Sequence, residues 1–298
     1  MVVAGETVPP AIRTPRIARA DAALARLVER AAGGDRLDPP EIMRLFAARD
    51  ADQAHLTAAA DALRQAVSGD TVRYVVNRNI NYTNICTYRC RFCAFSKGKT
   101  HEALRGPAYD LDLGEITRRA EEAWARGATE VCLQGGIHPD YTGETYIRIC
   151  EAIRAAVPGM HIHAFSPLEV TQGAATLGIS LGEFLARLKA AGLGTLPGTA
   201  AEILDDEIRA IICPDKVNTE EWMAVARAAH ALGLRTTSTI MYGHVEGPVM
   251  GAPPAGAARP AGGERRLYRL CRCPSSIWKR RCTCAARRAG GRPSARRC

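Results

Sequence analysis

The stretch VRYVVNRNINYTNICTYRCRFCAF, residues 72–95, joins a β-branched run to a loop that carries three cysteines. The run VRYVVNRNI is typical of a buried strand. Cys86, Cys90 and Cys93 follow it at CxxxCxxC spacing. Because α/β barrels place their active sites at the C-terminal ends of the strands, we predict a first strand that leads directly into a metal-binding loop.

The three thiols in this loop favour an iron–sulfur cluster over a disulfide or a zinc site. The first residues of the chain lack the pattern of a secretory signal, so a disulfide framework is not expected. Zinc would need a fourth Cys or His, and the nearest downstream is His101. A chance group of core thiols is the remaining alternative. A four-iron cluster normally takes four thiolates, so we predict that Cys86, Cys90 and Cys93 hold a 4Fe-4S cluster with one iron open to a small molecule.

Downstream of the loop, the apolar pattern alternates between strands and helices. The predicted helices are 112–127, 144–158, 181–192 and 218–233, and the predicted strands that follow the first are 129–136, 160–167, 193–198 and 235–244. This alternation of buried-type strands with helices predicts an α/β fold of parallel β/α units. Five units are too few for an eight-unit barrel of roughly 250 residues. We therefore predict a partial TIM barrel over residues 71–247, truncated after the fifth unit.

The segment before the barrel predicts a separate group of helices. Residues 1–70 contain Ala-rich helical periodicity, and Asp38 stands before two prolines, as a cap does at the start of a helix. The chain contains no apolar run of the roughly 18 residues that a membrane span needs. We expect two or three N-terminal helices and a cytoplasmic protein.

Six segments within about residues 70–247 carry a resemblance to one enzyme family. The segments are NRNINYTNIC…CRFCAF, CLQGGIHPDYTGETY, HIHAFSPLEV, GLGTLPGTAAEIL, ICPDKVNT and GLRTTSTIMYGHVE. Together they resemble the CofH family, the 4-hydroxyphenyl transferase subunits of deazaflavin (FO) synthase, which are radical S-adenosyl-L-methionine (radical SAM) enzymes. The resemblance implies that SAM binds the open iron of the cluster. It also implies that the substrates are L-tyrosine and 5-amino-6-(D-ribitylamino)uracil, and that a CofG-type subunit acts as functional partner. Neither a nucleic acid nor a membrane is expected as a partner.

The resemblance also suggests which residues at the strand ends contact the ligands. Gly135 and Gly136 end the second predicted strand and would allow close approach of SAM, although a plain strand-ending turn explains them as well. Glu169 would contact SAM or a substrate. Four further residues are predicted to contact substrate, with satisfied core groups as the alternative for the histidines: His138, His163, Glu202 and His244. His161 lies two residues before His163 on the same face and is a candidate of the same kind.

Two other functions remain open at this point. The first is a menaquinone-pathway radical SAM enzyme, which shares the NYTN and CxFCAF motifs. The segments FSPLEV, ICPDK and TTSTIMYGH favour the deazaflavin enzyme instead. From a different class, the chain could be a non-catalytic metal-binding protein with a basic arm. The sequence does not indicate the electron donor.

The last part of the chain differs from the rest. Residues 251–298 hold 13 Lys or Arg and one acid, whereas residues 1–250 hold 27 basic and 30 acidic residues, so the net charge of +9 comes from this tail. We predict that 248–298 is an aberrant basic low-complexity tail produced by a frameshift in a GC-rich gene. If the reading frame is shifted by one base after Leu270, the codons are compatible with the translated sequence VPLPFIHMEAPMYL, which resembles sequences of the family. We expect an exposed edge on the fifth strand, poor stability and little activity, and sequencing from the codon of Gly243 onward tests the frameshift.

Overall fold

The computed structural model describes residues 21–93, 107–242, Val245 and the backbone of 267–274. The chain divides into two compact units, with the change between Tyr74 and Val75. This boundary lies four residues after the predicted one. Within the described residues, no helix combines the length and apolarity that crossing a membrane requires.

The described part of the first unit contains three helices, where two or three are expected. They are α1 (Ala22–Ala32), α2 (Pro39–Phe46) and α3 (Asp50–Ser68). The Asp38 side chain accepts a hydrogen bond from the N–H of Glu41, and the Glu41 side chain accepts one from the N–H of Asp38. This reciprocal cap confirms the predicted start of α2. Leu24, Val28 and Ala59 form the centre of a small apolar core in this unit.

The second unit is an α/β unit built on one parallel sheet. Its strands are β1 (Asn77–Asn81), β2 (Glu130–Gln134), β3 (His161–Ala164), β4 (Leu193–Leu196), β5 (Arg235–Tyr242) and β6 (Leu267–Pro274). Its helices are α4 (Leu113–Ala125), α5 (Gly143–Ala156), α6 (Pro167–Leu177), α7 (Leu181–Ala191), α8 (Asp206–Ile212) and α9 (Thr219–Ala231). The strands follow chain order from β1 to β6, and every neighbouring pair is parallel. The predicted α/β fold of parallel units is confirmed.

This strand order places the crossover helices on one face of the sheet. Crossovers between parallel strands are right-handed, so a sheet that always advances in the same direction receives its helices on the same side. Accordingly, Ile80, Leu133 and Ile162 point toward the helices and are essentially inaccessible to solvent. We call the side of β1–β4 opposite to these crossover helices the helix-free face, a name that refers only to the described residues of the second unit.

The sheet is one strand longer than the sequence predicts. The segment LYRLCRCP, in which no strand pattern is expected, forms β6 and pairs in parallel with β5 from Thr236↔Leu267 to Tyr242↔Pro274. Pairing uses backbone N–H and C=O groups, and the edge of β5 offers a row of them whatever the partner's side chains. The expected exposed edge of β5 is therefore paired along this length. Residues 248–266 and 275–298 lie outside the described residues.

Two helices, α6 and α8, escape the sequence analysis. The start of α6 carries a clear local signal, because Ser166 caps the helix, Pro167 occupies its first turn and Glu169 completes the capping box. Asp205 caps α8 in the same way, through the N–H of Ile208. By contrast, the helix predicted over 218–233 is present as α9, and Asn218 and Glu221 form a capping box at its start.

Candidate active site

The cysteine loop follows the C-terminal end of β1 and lies against the end of β2. The N–H of Ile137 donates a hydrogen bond to Cys86 Sγ at 3.3 Å, and the N–H of Thr87 donates to the Ile137 carbonyl at 2.9 Å. Cys86, Cys90 and Cys93 are half-buried, and none of them forms a disulfide. The predicted position of the loop at the end of the first strand is therefore confirmed.

The ligand role of the three cysteines stays a prediction. Among residues 21–93, 107–242 and 245, no group of three His, Cys, Asp or Glu side chains is placed to hold a metal ion. Burial raises the pKa of the Cys90 thiol to about 12, while the nearby Lys216 acts in the opposite direction. Metals bind the thiolate form of cysteine, so a bound metal would displace that proton.

The segment ICPDK, residues 212–216, holds the cysteine loop from the other side. The N–H of Arg91 donates to the Ile212 carbonyl at 2.9 Å, and the N–H of Arg89 donates to Asp215 Oδ2 at 3.1 Å. The ammonium of Lys216 lies 5.2 Å from the centre of the Phe92 ring, within the range of a cation–π interaction. The backbone on both sides of Cys90 is thus fixed by residues far away in sequence.

Lys216 brings a fixed positive charge to this loop. Its ammonium lies 2.7 Å from Glu202 Oε1, and the two side chains are only 10% and 14% exposed. Burial lowers the pKa of Lys216, but the Glu202 carboxylate and then Cys90 more than offset that effect, so the net pKa is raised and the lysine stays charged. Glu202, predicted to contact substrate, therefore has this lysine as its partner in the described structure.

Replacing Lys216 by methionine is expected to lower the free energy of unfolding by about 3 kcal/mol. The reason is that the Glu202 side chain, which is 14% exposed, would lose the cation that faces it. Chemical denaturation measures the change, and Arg187→Met is the control, because the Arg187–Glu144 pair is 41% and 49% exposed and its loss should cost less than about 1 kcal/mol. Equal losses in the two variants would contradict the prediction.

Gly135 and Gly136 are required by packing at the end of β2. A Cβ atom on Gly136 would lie 2.2 Å from the Ile85 carbonyl oxygen and 2.8 Å from the Cys86 Cβ. A Cβ atom on Gly135 would lie 2.2 Å from the ring of Tyr82. The pair therefore lets the end of β2 contact the start of the cysteine loop directly. Contact of these glycines with SAM stays a prediction.

Glu169 lies buried where the first three strands end. Its carboxylate accepts hydrogen bonds from the hydroxyl of Tyr82, which follows β1, and from the N–H of Gly135 at 3.3 Å, which follows β2. It also accepts from the N–H and the hydroxyl of Ser166, which follows β3, at 2.7 and 2.5 Å. Burial raises the pKa of Glu169, an effect that these donors partly offset. Its predicted contact with a ligand is untested, and its visible role is to join three strand ends.

Glu169→Gln is expected to lower the free energy of unfolding by about 2 kcal/mol. A glutamine NH₂ group cannot accept the two hydrogen bonds from Ser166, so a buried donor would lose its partner. Glu221→Gln is the matched control, because Glu221 makes the same capping-box contact in an exposed position, at 2.7 Å from the N–H of Asn218. Urea titration of both variants checks the difference, and a smaller loss for Glu169→Gln than for Glu221→Gln would refute it.

Backbone strain is concentrated at the ends of β3 and β4. Phe165, Ala200 and Glu202 have φ angles of 63°, 64° and 51°, and non-glycine residues seldom hold positive φ unless the surrounding structure enforces it. After β4 the enforcing residue is Arg209, which is 3% exposed and donates to the carbonyls of Ala200, Ala201, Ile203 and Val217. Arg209 and Lys216 are the site residues that the sequence analysis misses.

The predicted histidines occupy different places. His161 Nε2 and His163 Nδ1 lie 2.8 and 2.7 Å from the hydroxyl of Thr195 on β4. The ring of His138 stacks on Tyr141 with 4.8 Å between centroids. His244 lies outside the described residues. Contact of any of them with substrate remains a prediction.

The first strand of this parallel α/β sheet leads into a three-cysteine loop, and that loop packs on the two glycines that follow the second strand. This arrangement is typical of barrel enzymes that bind an iron–sulfur cluster. Residues 80–248 match the model of the radical SAM superfamily, and the chain belongs to this superfamily. Membership implies a 4Fe-4S cluster and SAM.

Named relatives lie within this superfamily. The chain is 49% identical over 213 residues to an FO synthase of Streptomyces avermitilis, covering 72% of this chain and 24% of the relative. It is 46% identical over 239 residues to the FO synthase of Mycobacterium tuberculosis, covering 80% and 27%. It is 45% identical over 228 residues to a 5-amino-6-(D-ribitylamino)uracil–L-tyrosine 4-hydroxyphenyl transferase of a Nostoc species, covering 74% and 57%. The chain thus spans about a quarter of the FO synthases and somewhat over half of the transferase.

Solved structures support the fold. The FeFe-hydrogenase maturase HydG of Carboxydothermus hydrogenoformans superposes with a TM-score of 0.57 at 18% identity, covering 77% of this chain and 50% of HydG. Methylornithine synthase superposes with a TM-score of 0.55 at 17% identity, covering 72% and 58%. At these identities the similarity concerns the fold alone.

Proposed function

We propose that this chain is a radical SAM transferase that joins the 4-hydroxybenzyl group of L-tyrosine to 5-amino-6-(D-ribitylamino)uracil in deazaflavin biosynthesis. The observation that carries the proposal is the cysteine loop packed on Gly136 at the C-terminal ends of β1 and β2, in a chain 45% identical to a transferase of that name. In this proposal Cys86, Cys90 and Cys93 are the three ligands of the cluster. A CofG-type subunit would use the product to close the deazaflavin ring.

Cys86, Cys90 and Cys93 would hold the cluster, which would supply the electron for reductive cleavage of SAM and so the radical chemistry that activates tyrosine. The chain's own residues hold and shape the site. Ile137 donates its N–H to Cys86, and the segment 212–216 fixes the backbone between the cysteines. Glu169 keeps three strand ends together, and the close packing of Gly136 on the loop leaves little room there for water. These are the positioning and shielding functions that a protein contributes to cofactor chemistry.

Single-turnover product analysis tests the proposal. The protein is reconstituted anaerobically with iron and sulfide, reduced, and mixed with SAM, tyrosine and ribitylaminouracil; single-turnover conditions are chosen because we predict low activity with the tail as written. The expected result is 5′-deoxyadenosine together with a 4-hydroxybenzyl adduct of the uracil, detected by mass spectrometry. Cleavage of SAM without that adduct would overturn the transferase assignment, as would a colourless protein that binds zinc in place of iron.

A further inference from the structure

The helix-free face carries polar side chains at every second position of its first three strands. Residues that point toward the helices are mostly apolar and buried: Ile80, Val131, Leu133, Ile162 and Ala164. The exception is Arg78 on β1, which donates to the Arg119 carbonyl and to Glu122 on α4. Residues that alternate with them are polar: Asn77, Asn79, Asn81, Glu130, Cys132, Gln134, His161 and His163. A filled barrel interior is dominated by branched apolar residues instead. This face is therefore suited to a polar ligand rather than to a packed core.

One row of this face crosses four strands at the same level. The register pairs Asn79 with Cys132, Cys132 with His163, and His163 with Thr195; we call these four residues the polar row. The Thr195 hydroxyl lies 2.7 Å from His163 Nδ1, which places both side chains on the helix-free face. Gln134 lies on the same face of β2, two residues closer to the C-terminal end of the strand. Its Nε2 donates to Cys132 Sγ at 3.4 Å.

The polar row contains no carboxylate, lysine or arginine, and it offers both donors and acceptors. It presents an amide, a thiol, an imidazole and a hydroxyl, separated by three inter-strand gaps of about 4.8 Å each. Glu130 lies in the next row toward the N-terminal ends of the strands, where Asn77 donates to it at 3.4 Å. A series of polar groups at regular spacing matches a ligand with hydroxyl and amide groups along its length.

We propose that the polar row binds 5-amino-6-(D-ribitylamino)uracil, whose ribityl hydroxyls and uracil amides are neutral donors and acceptors. The inference rests on the proposed function and assigns one of its two substrates to a place. Tyrosine carries an ammonium and a carboxylate, and burying such charges requires charged partners, whereas the four residues of the row include no carboxylate, lysine or arginine. We therefore expect the row to favour ribitylaminouracil over tyrosine.

Alkylation of Cys132 tests this assignment without changing the protein. Cys132 is half-buried on the row, whereas Cys150 and Cys213 are buried and act as internal controls. The anaerobically reconstituted protein is treated with iodoacetamide in the presence of ribitylaminouracil or of tyrosine, and the peptides are quantified by mass spectrometry. We expect ribitylaminouracil to slow alkylation of Cys132 several-fold and tyrosine to leave it unchanged. Protection by tyrosine alone, or by neither compound, would overturn the inference.

A variant of Thr195 tests the contact itself. Thr195→Val keeps the shape of the side chain and removes the hydroxyl, so the Kd of ribitylaminouracil, measured by calorimetry, should rise about tenfold. Thr195→Ser should restore binding, and Thr171→Val on α6 is the control, because that hydroxyl bonds only its own helix, at the Pro167 carbonyl. An unchanged Kd in Thr195→Val, with ribitylaminouracil still bound and transferred, would refute the inference and leave the proposed function intact. Failure of the unaltered protein to bind ribitylaminouracil would refute both.

Discussion

Cys90→Ala is expected to abolish the iron–sulfur cluster. The intact protein, reconstituted anaerobically, should hold iron and sulfide at about four each per chain. Without Cys90 the loop retains only two of its three predicted ligands. Two thiolates are not enough to hold a four-iron cluster, so the iron would be lost to solvent. We expect iron and sulfide to fall close to zero and the brown absorbance to disappear, as measured by metal analysis and visible spectroscopy.

Cys213→Ala is the matched control for this loss. Cys213 is only 2% exposed, and it lies close enough to Cys90 to influence the pKa of that thiol. It is therefore a thiol close to the loop that is not part of the CxxxCxxC motif. Full cluster content in Cys213→Ala supports a three-ligand loop. Loss of iron in Cys213→Ala, or its retention in Cys90→Ala, would contradict the assignment.

The second large effect is expected from Gly136→Ala. The added methyl group would lie 2.2 Å from the Ile85 carbonyl oxygen and 2.8 Å from the Cys86 Cβ. Both are parts of the backbone region that leads into the cysteine loop, so neither can rotate away. The loop or the end of β2 must shift, at a cost on the order of 3 kcal/mol. We expect a lower denaturation midpoint together with reduced iron content, because the same shift displaces Cys86.

Gly182→Ala separates this steric effect from the general effect of replacing a glycine. Gly182 lies in the first turn of α7, and a Cβ atom there would meet nothing within 4 Å. Alanine at this position should stabilise the protein by about 0.5–1 kcal/mol and leave the iron content unchanged. If both variants behave alike, the close packing of Gly136 on the loop is not what holds the site.

The features that the sequence predicts well are those that depend on short segments. The spacing of Cys86, Cys90 and Cys93 and the strand before them are local, and so is the cap at Asp38. The alternation of helices and strands is predicted because each element carries its own apolar period. The helix α6 is not predicted, although its capping box is equally local. The signal for this helix is therefore present in the sequence.

Other features depend on contacts that no short segment contains. The partner of Glu202 is Lys216, and Lys216 in turn contacts Phe92; these relations join three separate segments. The four hydrogen bonds of Glu169 come from the ends of three strands. The strand β6 forms from a segment without a strand pattern, because the edge of β5 pairs with a backbone and not with particular side chains.

The amino-acid sequence by itself determined the parallel α/β architecture and the three-cysteine loop at the end of the first strand. Hydrophobic period and residue spacing along the chain encode both. Only the tertiary structure decided which side chains meet at that loop, since Arg89 and its partner Asp215 are 126 residues apart. It also decided that Asn79, Cys132, His163 and Thr195 share one level, because the register between strands arises when they pair and a shift of one residue would turn each side chain to the other face.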